Sequence, residues 1–294
     1  MDIRNFLQYL QYEKRFSPHT IVAYENDLLQ FSSYLKKTYD LEKMLEARHL
    51  HVRSWLVSLM ESGTGSRSIN RKLSSLKSFF KFNMKNGFLD RNPMAKVIAP
   101  KIAKRLPAFI QENQVELLWD QHHFEDGFAG HRNQMIFEIF YATGMRLSEL
   151  INLTDQSIDF YSLSLKVLGK GNKERIIPFD PKLKTAIKEY ISVRNKTFSS
   201  TAFPALLVSD SGQKMIPRKV YTIVNSVLKE VTTVEKKSPH VLRHTFATHL
   251  LNNGAEINAI KELLGHSSLA ATQVYTHNTI DKLKDIYKKA HPKA

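Results

Sequence analysis

The stretch that decides the reading is SPHVLRHTFATHLLNNGAEINAIKELLGHSSLAATQVYTH, residues 238–277. Ser238 suits an N-cap and Pro239 suits the first helical position. A helix is expected over 240–251, stopped by Asn252, Asn253 and Gly254. His240 and Arg243 lie three apart and so share a face. That face falls in the first turn, where free backbone N–H groups and the helix dipole favour an anion. Val241, Phe246, Leu250 and Leu251 are expected to pack on the other side. A second helix is expected over 256–264, stopping at Gly265. His266 follows at once, and Tyr275 lies nine residues further on. Two short helices and their exits thus deliver two imidazoles, a guanidinium and a phenol. A phosphodiester under attack needs such a set: cations for its charge, proton donors and acceptors, and a nucleophile. Taken singly, a His at a helix start is usually a cap or a surface residue, and a Tyr before a C-terminal helix is usually packing. The constellation carries more weight than any member.

Composition narrows the class. The chain has 294 residues, 42% hydrophobic and 24% charged, enough for two domains with sizeable cores. Lys and Arg number 43 against 28 Asp and Glu, a formal charge of +15. The excess is uneven: residues 1–106 hold 19 basic and 9 acidic side chains, or +10. Such charge points to nucleic acid or an anionic membrane surface. There is no cysteine, hence no disulfide and no Cys-based zinc site. No apolar run is long enough to span a membrane, and the N-terminus lacks the pattern of a signal peptide. The simplest expectation is a soluble cytoplasmic protein, with no membrane partner.

Residues 1–98 read as an all-helical domain. Helices are expected over 3–14, with Phe6, Leu7 and Leu10 inward; over 19–39, opened by Ser17-Pro18; over 48–61; and over 66–86, capped by Ser66 or Ser68. The last carries Arg67, Arg71, Lys72, Lys77, Lys81 and Lys85 around an apolar side. Small polar residues interleave these cations, so the face can approach a phosphate backbone. By itself it would pass for a solvated charged face. The segment from Pro100 to Pro107 contains Lys101, Lys104 and Arg105, and residues 99–107 read as an interdomain linker. Residues 108–294 read as a mixed α/β domain, mostly helical. Helices are expected over 112–121 and 131–141. Arg146 stands at the next helix start, beside Glu149. A hairpin (162–168 and 174–179, turning through 169–172) is followed by helices over 182–197 and 217–231. A terminal helix over 279–290 sets Ile280, Leu283, Ile286 and Tyr287 on one side.

The order His-x-x-Arg, Leu-Leu-Gly-His, Tyr resembles the active-site region of the tyrosine recombinase (phage integrase) family, most closely its Xer-type members. ATGMRLSEL (142–150), GKGNKER (169–175), FLQYLQYEKRFSPHTIVAYENDLLQFSSYL (6–35) and RKLSSLKSFFKF (71–82) extend the likeness over nearly the whole chain. The resemblance implies an N-terminal all-α core-binding (SAM-like) domain and a C-terminal α/β catalytic domain. It implies site-specific cutting and rejoining of DNA through a 3′-phosphotyrosyl intermediate and a Holliday junction, with no cofactor, metal or ATP. The roles it implies are a phosphate clamp at Arg146 and Arg243, a general acid at Lys170, and a proton acceptor or shuttle at His240. His266 would donate a hydrogen bond to the phosphate, and Tyr275 would be the nucleophile. DNA contacts would come from Arg67, Arg71, Lys72, Lys77, Lys101, Lys104 and Arg105. The linker would cross DNA within a C-shaped clamp. The terminal helix would either pack on its own catalytic domain or, as the resemblance implies, be donated to the next protomer. Partners would be double-stranded DNA with inverted-repeat arms, a homo- or hetero-tetramer of recombinases, and an activating accessory protein, acting at the nucleoid. Chromosome dimer resolution and mobile-element integration both fit.

Two other readings meet some of the same observations. A protein that bends or bridges DNA without cutting it would use the same charge, leaving Arg146, Lys170 and Tyr275 dispensable. A metal-dependent nuclease is disfavoured because no acidic cluster is visible for two-metal chemistry. His240 and His244 have a metal-pair spacing, but no Glu of an H-E-x-x-H pattern and no third ligand accompany them.

Overall fold

The computed structural model describes residues 3–102, 108–120, 124–169, 173–265 and 277–292. The chain separates into two compact units, Met1–Arg105 and Leu106–Ala294. As the sequence patterns require, it is mainly α-helical, with one small sheet among the described residues.

The first unit is built from α1 (Ile3–Gln8), which passes into a π-helical turn (Tyr9–Glu13), α2 (Pro18–Tyr39), α3 (His49–Glu61) and α4 (Ser66–Lys85). The Ser17 side chain accepts from the Thr20 amide and starts α2. For α4, neither expected serine is the cap: Gly65 holds that position without a side-chain bond, and Ser66 is already helical. Phe6, Leu28, Phe31, Trp55, Leu76, Phe79 and Phe80 are fully buried between the helices. Each such side chain contributes about 1.5–3 kcal/mol relative to exposure. Phe31 meets Trp55 with ring centres 4.9 Å apart. One acid lies within this core: the Asp27 carboxylate of α2 accepts from Ser75 (2.8 Å), Lys72 (3.2 Å) and Arg71, all on α4. It locks the two longest helices together, and removing one charged partner of a buried pair costs about 3–5 kcal/mol.

The second unit surrounds α6 (Phe128–Thr143), whose Ile136, Phe137, Ile139 and Phe140 are all fully buried. A helix apolar on every side belongs at a centre. Around it lie α5 (Glu112–Asp120), the single turn α7 (Leu147–Leu150), α8 (Pro181–Phe198), α9 (Pro217–Val231), α10 (Pro239–Asn252) and α11 (Ile257–Leu264). An antiparallel sheet, ordered β1-β2-β3, comprises β1 (Ile158–Asp159), β2 (Ser164–Leu168) and β3 (Glu174–Pro178). The β2–β3 hairpin was expected; β1, two residues long, was not, because so short a strand has no periodicity to read. Register pairs Val167 with Arg175 and Leu168 with Glu174.

Two local expectations need correction. Ser238 stands at the N-cap of α10, but its hydroxyl is buried and makes no capping bond. Leu251 is 49% exposed, on the solvent side of α10 beyond its core-facing Leu250. The terminal helix α12 (His277–Ala290) packs on its own unit: Leu283, Tyr287 and Ala290 are buried in one cluster with Phe246 and Leu250 of α10 and Ala259 and Leu263 of α11. Asn253 donates to the Ala290 carbonyl (3.0 Å), and His291 donates to the Tyr141 carbonyl (3.1 Å). Among the described residues, no helix is long and apolar enough to cross a membrane.

Candidate active site

The site forms where α6 ends. Gly144 closes that helix in the left-handed conformation, φ 57°. A Cβ there would lie 2.3 Å from Phe246 of α10, so both backbone and space demand glycine. The turn brings Arg146 to the N-cap of α7, with extended backbone. Its amide donates to Glu149 Oε2 (2.7 Å) and its Nη1 to Glu149 Oε1 (2.9 Å). The Arg146 side chain is 30% exposed, but Glu149 is 1% exposed, so the pair has a buried half.

The reason Glu149 tolerates burial is Arg175. This residue of β3 meets the carboxylate with two parallel bonds, Nη1 to Oε1 (2.6 Å) and Nη2 to Oε2 (2.9 Å). Burial alone would push the Glu149 carboxyl up; the bonds and charge of Arg175, followed by those of Arg146, hold it below the usual carboxylate range. Arg243 lies beside this group, buried, and donates to the carbonyls of Gly144 (2.7 Å) and Leu264 (2.6 Å). Burial, then the charges of Arg146 and Arg175, bring its guanidinium down to about 10. It remains a cation at neutral pH.

The same three arginines cap the end of α11. Leu263 O accepts from Arg175 (2.9 Å), Leu264 O from Arg243 (2.6 Å) and Gly265 O from Arg146 (3.1 Å). A helix C-terminus leaves such carbonyls unpaired and carries negative partial charge, so cations settle there. Gly265, at φ 65°, ends the helix, and a Cβ on it would lie 3.0 Å from the Arg175 side chain. The segment leading to His266 is therefore anchored by β3, α10 and the start of α7 together.

His240 is exposed at the first turn of α10. Partial withdrawal from water, then the charges of Lys236, Arg243 and Arg146, hold it below the usual imidazole value. It is thus neutral at pH 7 and able to accept a proton. His249, which had no assigned role, is buried between the Tyr141 hydroxyl (3.1 Å) and the Ile110 carbonyl (2.8 Å). Among the described residues, no group of three or more metal-ligating side chains is placed to hold an ion.

The structure thus brings Arg146, Arg243 and His240 together. Lys170, His266 and Tyr275 lie outside the described residues, as do Lys104 and Arg105. Of the flanking residues, Gly169 donates to Lys173 O (2.8 Å), and a Cβ on Gly169 would lie 3.6 Å from both Arg175 and Glu149. On the first unit, Arg67, Lys77 and Lys101 are exposed. Arg71 and Lys72 are engaged with Asp27, Arg71 at 47% and Lys72 at 13% exposure. Sequence reasoning passed over Arg175. Its signal was strand alternation: positions 175, 177 and 179 share the inward face, and a cation there needs a buried acid.

Three guanidiniums around one carboxylate leave surplus positive charge where an anion can reach it. The Phage integrase family profile matches residues 108–282, and the profile of the phage integrase N-terminal SAM-like domain matches residues 3–87. The chain belongs to the phage integrase family. Tyrosine recombinase XerC of Anoxybacillus flavithermus is 38% identical over 292 residues, covering 98% of this chain and 97% of its own. Tyrosine recombinase XerC of Bacillus subtilis is 36% identical, covering 99% and 96%. The Tn1549 transposon integrase, solved in complex with transposon right end DNA, superposes with a TM-score of 0.73 at 18% identity, over 97% of this chain and 99% of that one, a likeness of fold. As a tyrosine recombinase the chain is an enzyme that breaks and rejoins DNA strands.

Proposed function

We propose that this tyrosine recombinase is of Xer type and cuts specific DNA sites through a covalent bond between Tyr275 and a 3′ phosphate. The observation that supports this most directly is the surplus positive charge of Arg146, Arg175 and Arg243 around Glu149, beside a neutral His240. Arg146 and Arg243 hold the two non-bridging oxygens of the scissile phosphate and offset the charge that grows in the transition state. His240 takes the phenol proton as the Tyr275 oxygen attacks phosphorus. His266 donates a hydrogen bond to the phosphate. The bond from phosphorus to the 5′ oxygen breaks, and Lys170 gives that oxygen its proton. Religation runs the same steps backwards with a 5′ hydroxyl from another strand. The phosphodiester energy is kept in the tyrosyl ester, and no ATP or metal is required. Exchange of two strand pairs in turn passes through a Holliday junction.

The first unit supplies backbone contacts through Arg67 and Lys77, with Lys101, Lys104 and Arg105 following in the linker. Arg71 and Lys72 support the helix on which those contacts stand. Four protomers, of this chain or of this chain and a second recombinase, act on two sites with inverted-repeat arms. In that assembly α12 leaves its own unit for a neighbour's, and an accessory protein sets which protomers cut. Resolution of chromosome dimers at the nucleoid and integration of a mobile element use the same chemistry; sequencing the DNA bound in cells separates them.

The test is a nicked suicide duplex, on which the cut strand cannot be rejoined. The wild-type chain is expected to give a protein–DNA adduct on a denaturing gel, while Tyr275→Phe binds the same duplex and gives none. An adduct with the Phe variant would remove Tyr275 from the reaction.

A further inference from the structure

We propose that Arg175 is a positioning residue for strand cleavage: by holding Glu149 with two bonds, it frees Arg146 to move from that carboxylate onto the scissile phosphate. The inference rests on the reading of Arg146 as a phosphate clamp and adds a residue that the clamp needs.

The Glu149 carboxylate accepts four bonds in the structure. Two come from Arg175, one from the Arg146 amide and one from the Arg146 guanidinium. The last is the weakest commitment, made by a side chain 30% exposed, whereas Arg175 is 4% exposed and pinned by its Nε to Leu263 O at 2.9 Å. When a phosphate arrives, the Arg146 guanidinium can leave and Glu149 keeps three bonds, including its bidentate ion pair. Arg175 cannot make the same move without opening β3, α7 and α11 at once. If Arg175 is removed, Arg146 becomes the one guanidinium bonded to a buried carboxylate, and attraction in a low-dielectric site holds it there. The phosphate must then compete with Glu149 for its own clamp. A lysine cannot substitute fully, because a point charge does not span both carboxylate oxygens and the Leu263 carbonyl.

The charged groups facing Glu149 are Arg146 from its own turn, Arg175 from β3, and Arg243 of α10, whose charge reaches it. Lys166 and Glu174 of the hairpin line the same cavity. Losing Arg175 removes the strongest influence that holds the carboxyl low. In the variant, mild acid should then protonate Glu149 and release Arg146.

The test uses the full chain, saturating nicked duplex and single-turnover cleavage, with rate constant and amplitude read separately. Arg175→Met is expected to lower the rate constant roughly ten- to a hundred-fold, less than the ~10²–10³ for losing a direct transition-state donor. Arg175→Lys falls between it and wild type. The ratio of Arg175→Met to wild type rises as pH falls, which cancels the shared effect of His240. Adding Glu149→Gln to Arg175→Met restores most of the rate, since a neutral amide does not trap Arg146. A purely structural role would lower the amplitude through loss of folded protein and leave the rate constant unchanged; that result overturns the proposal, as does a slow rate relieved by neither acid nor Glu149→Gln. If Arg175→Met does not fold, the double variant decides, because it leaves no uncompensated buried carboxylate: it should cleave about as fast as Glu149→Gln alone, and a much slower rate refutes the idea. Wild-type cleavage by Arg146→Ala would sink the clamp itself, whereas a crippled Arg146→Ala beside an unimpaired Arg175→Met would sink this inference alone.

Discussion

Replacing Arg146 with alanine separates what the guanidinium does for the fold from what it does for the reaction. In the folded chain it makes two side-chain bonds, to Glu149 Oε1 at 2.9 Å and to Gly265 O at 3.1 Å. The first is an i,i+3 pair between the partly exposed guanidinium and a buried carboxylate that Arg175 already holds, worth about 0.2–1 kcal/mol. The second is exposed, so water can replace it at a cost of about 0.5–1 kcal/mol. Glu149 keeps Arg175 and the residue-146 amide and is not left uncompensated. The stability loss is therefore about 1–2 kcal/mol, or roughly 2–8 °C in Tm for a unit of this size. Loss of a preorganised donor at the transition state costs more, about 2.7–4 kcal/mol or 10²–10³ in rate. Calorimetry and single-turnover cleavage at saturating DNA measure the two quantities on one protein preparation. The expected result is a folded, DNA-binding variant that melts slightly early and cleaves at least a hundred times more slowly, the lower end of that ~10²–10³ range. Cleavage within tenfold of wild type would refute the reasoning, and so would a collapse of Tm that accounts for the rate by itself.

Three more expectations follow. His240 is held below the usual imidazole value, so its neutral form persists into mild acid; the acid limb of the cleavage profile should lie below the range in which a free imidazole titrates, and His240→Gln should remove that limb. Gly144→Ala forces a left-handed alanine against the Phe246 ring and should cost about 2–5 kcal/mol, read as a lower melting temperature of the second unit. DNA affinity should fall steeply with salt; Arg67→Ala should lower the slope of log affinity against log salt by about one, whereas Lys72→Ala, which breaks the Asp27 pair, should lower stability more than the slope.

Much of the fold was legible because apolar residues recur at helical spacing and Pro, Ser and Gly mark the ends. The starts of α2, α8, α9 and α10 all carry Pro in the first helical positions. Local patterns failed where the deciding partner was distant in sequence. The cations of α4 read as unbalanced because their acid, Asp27, sits 44 residues before Arg71 on another helix. The spacing of Glu149 to Arg146 was visible in the sequence, while the bond from Arg175, 26 residues on, was not. The terminal helix shows the same limit. Its apolar stripe said that something must cover it, and only the folded chain shows α10 and α11 in that place.

The anchoring of α11 by three arginines has a consequence for the newly made chain. Arg146 bonds a carbonyl 119 residues later, and Arg175 one 88 residues later. A ribosome delivers the N-terminal unit first, and it can fold while the rest is still being made. Arg146, Arg175 and Arg243 are all made before residues 263–265 emerge to bring them into register. A chain that stops short of residue 263 has none of the three carbonyls that these arginines share. The arginine cluster is completed only after residue 265 has been made.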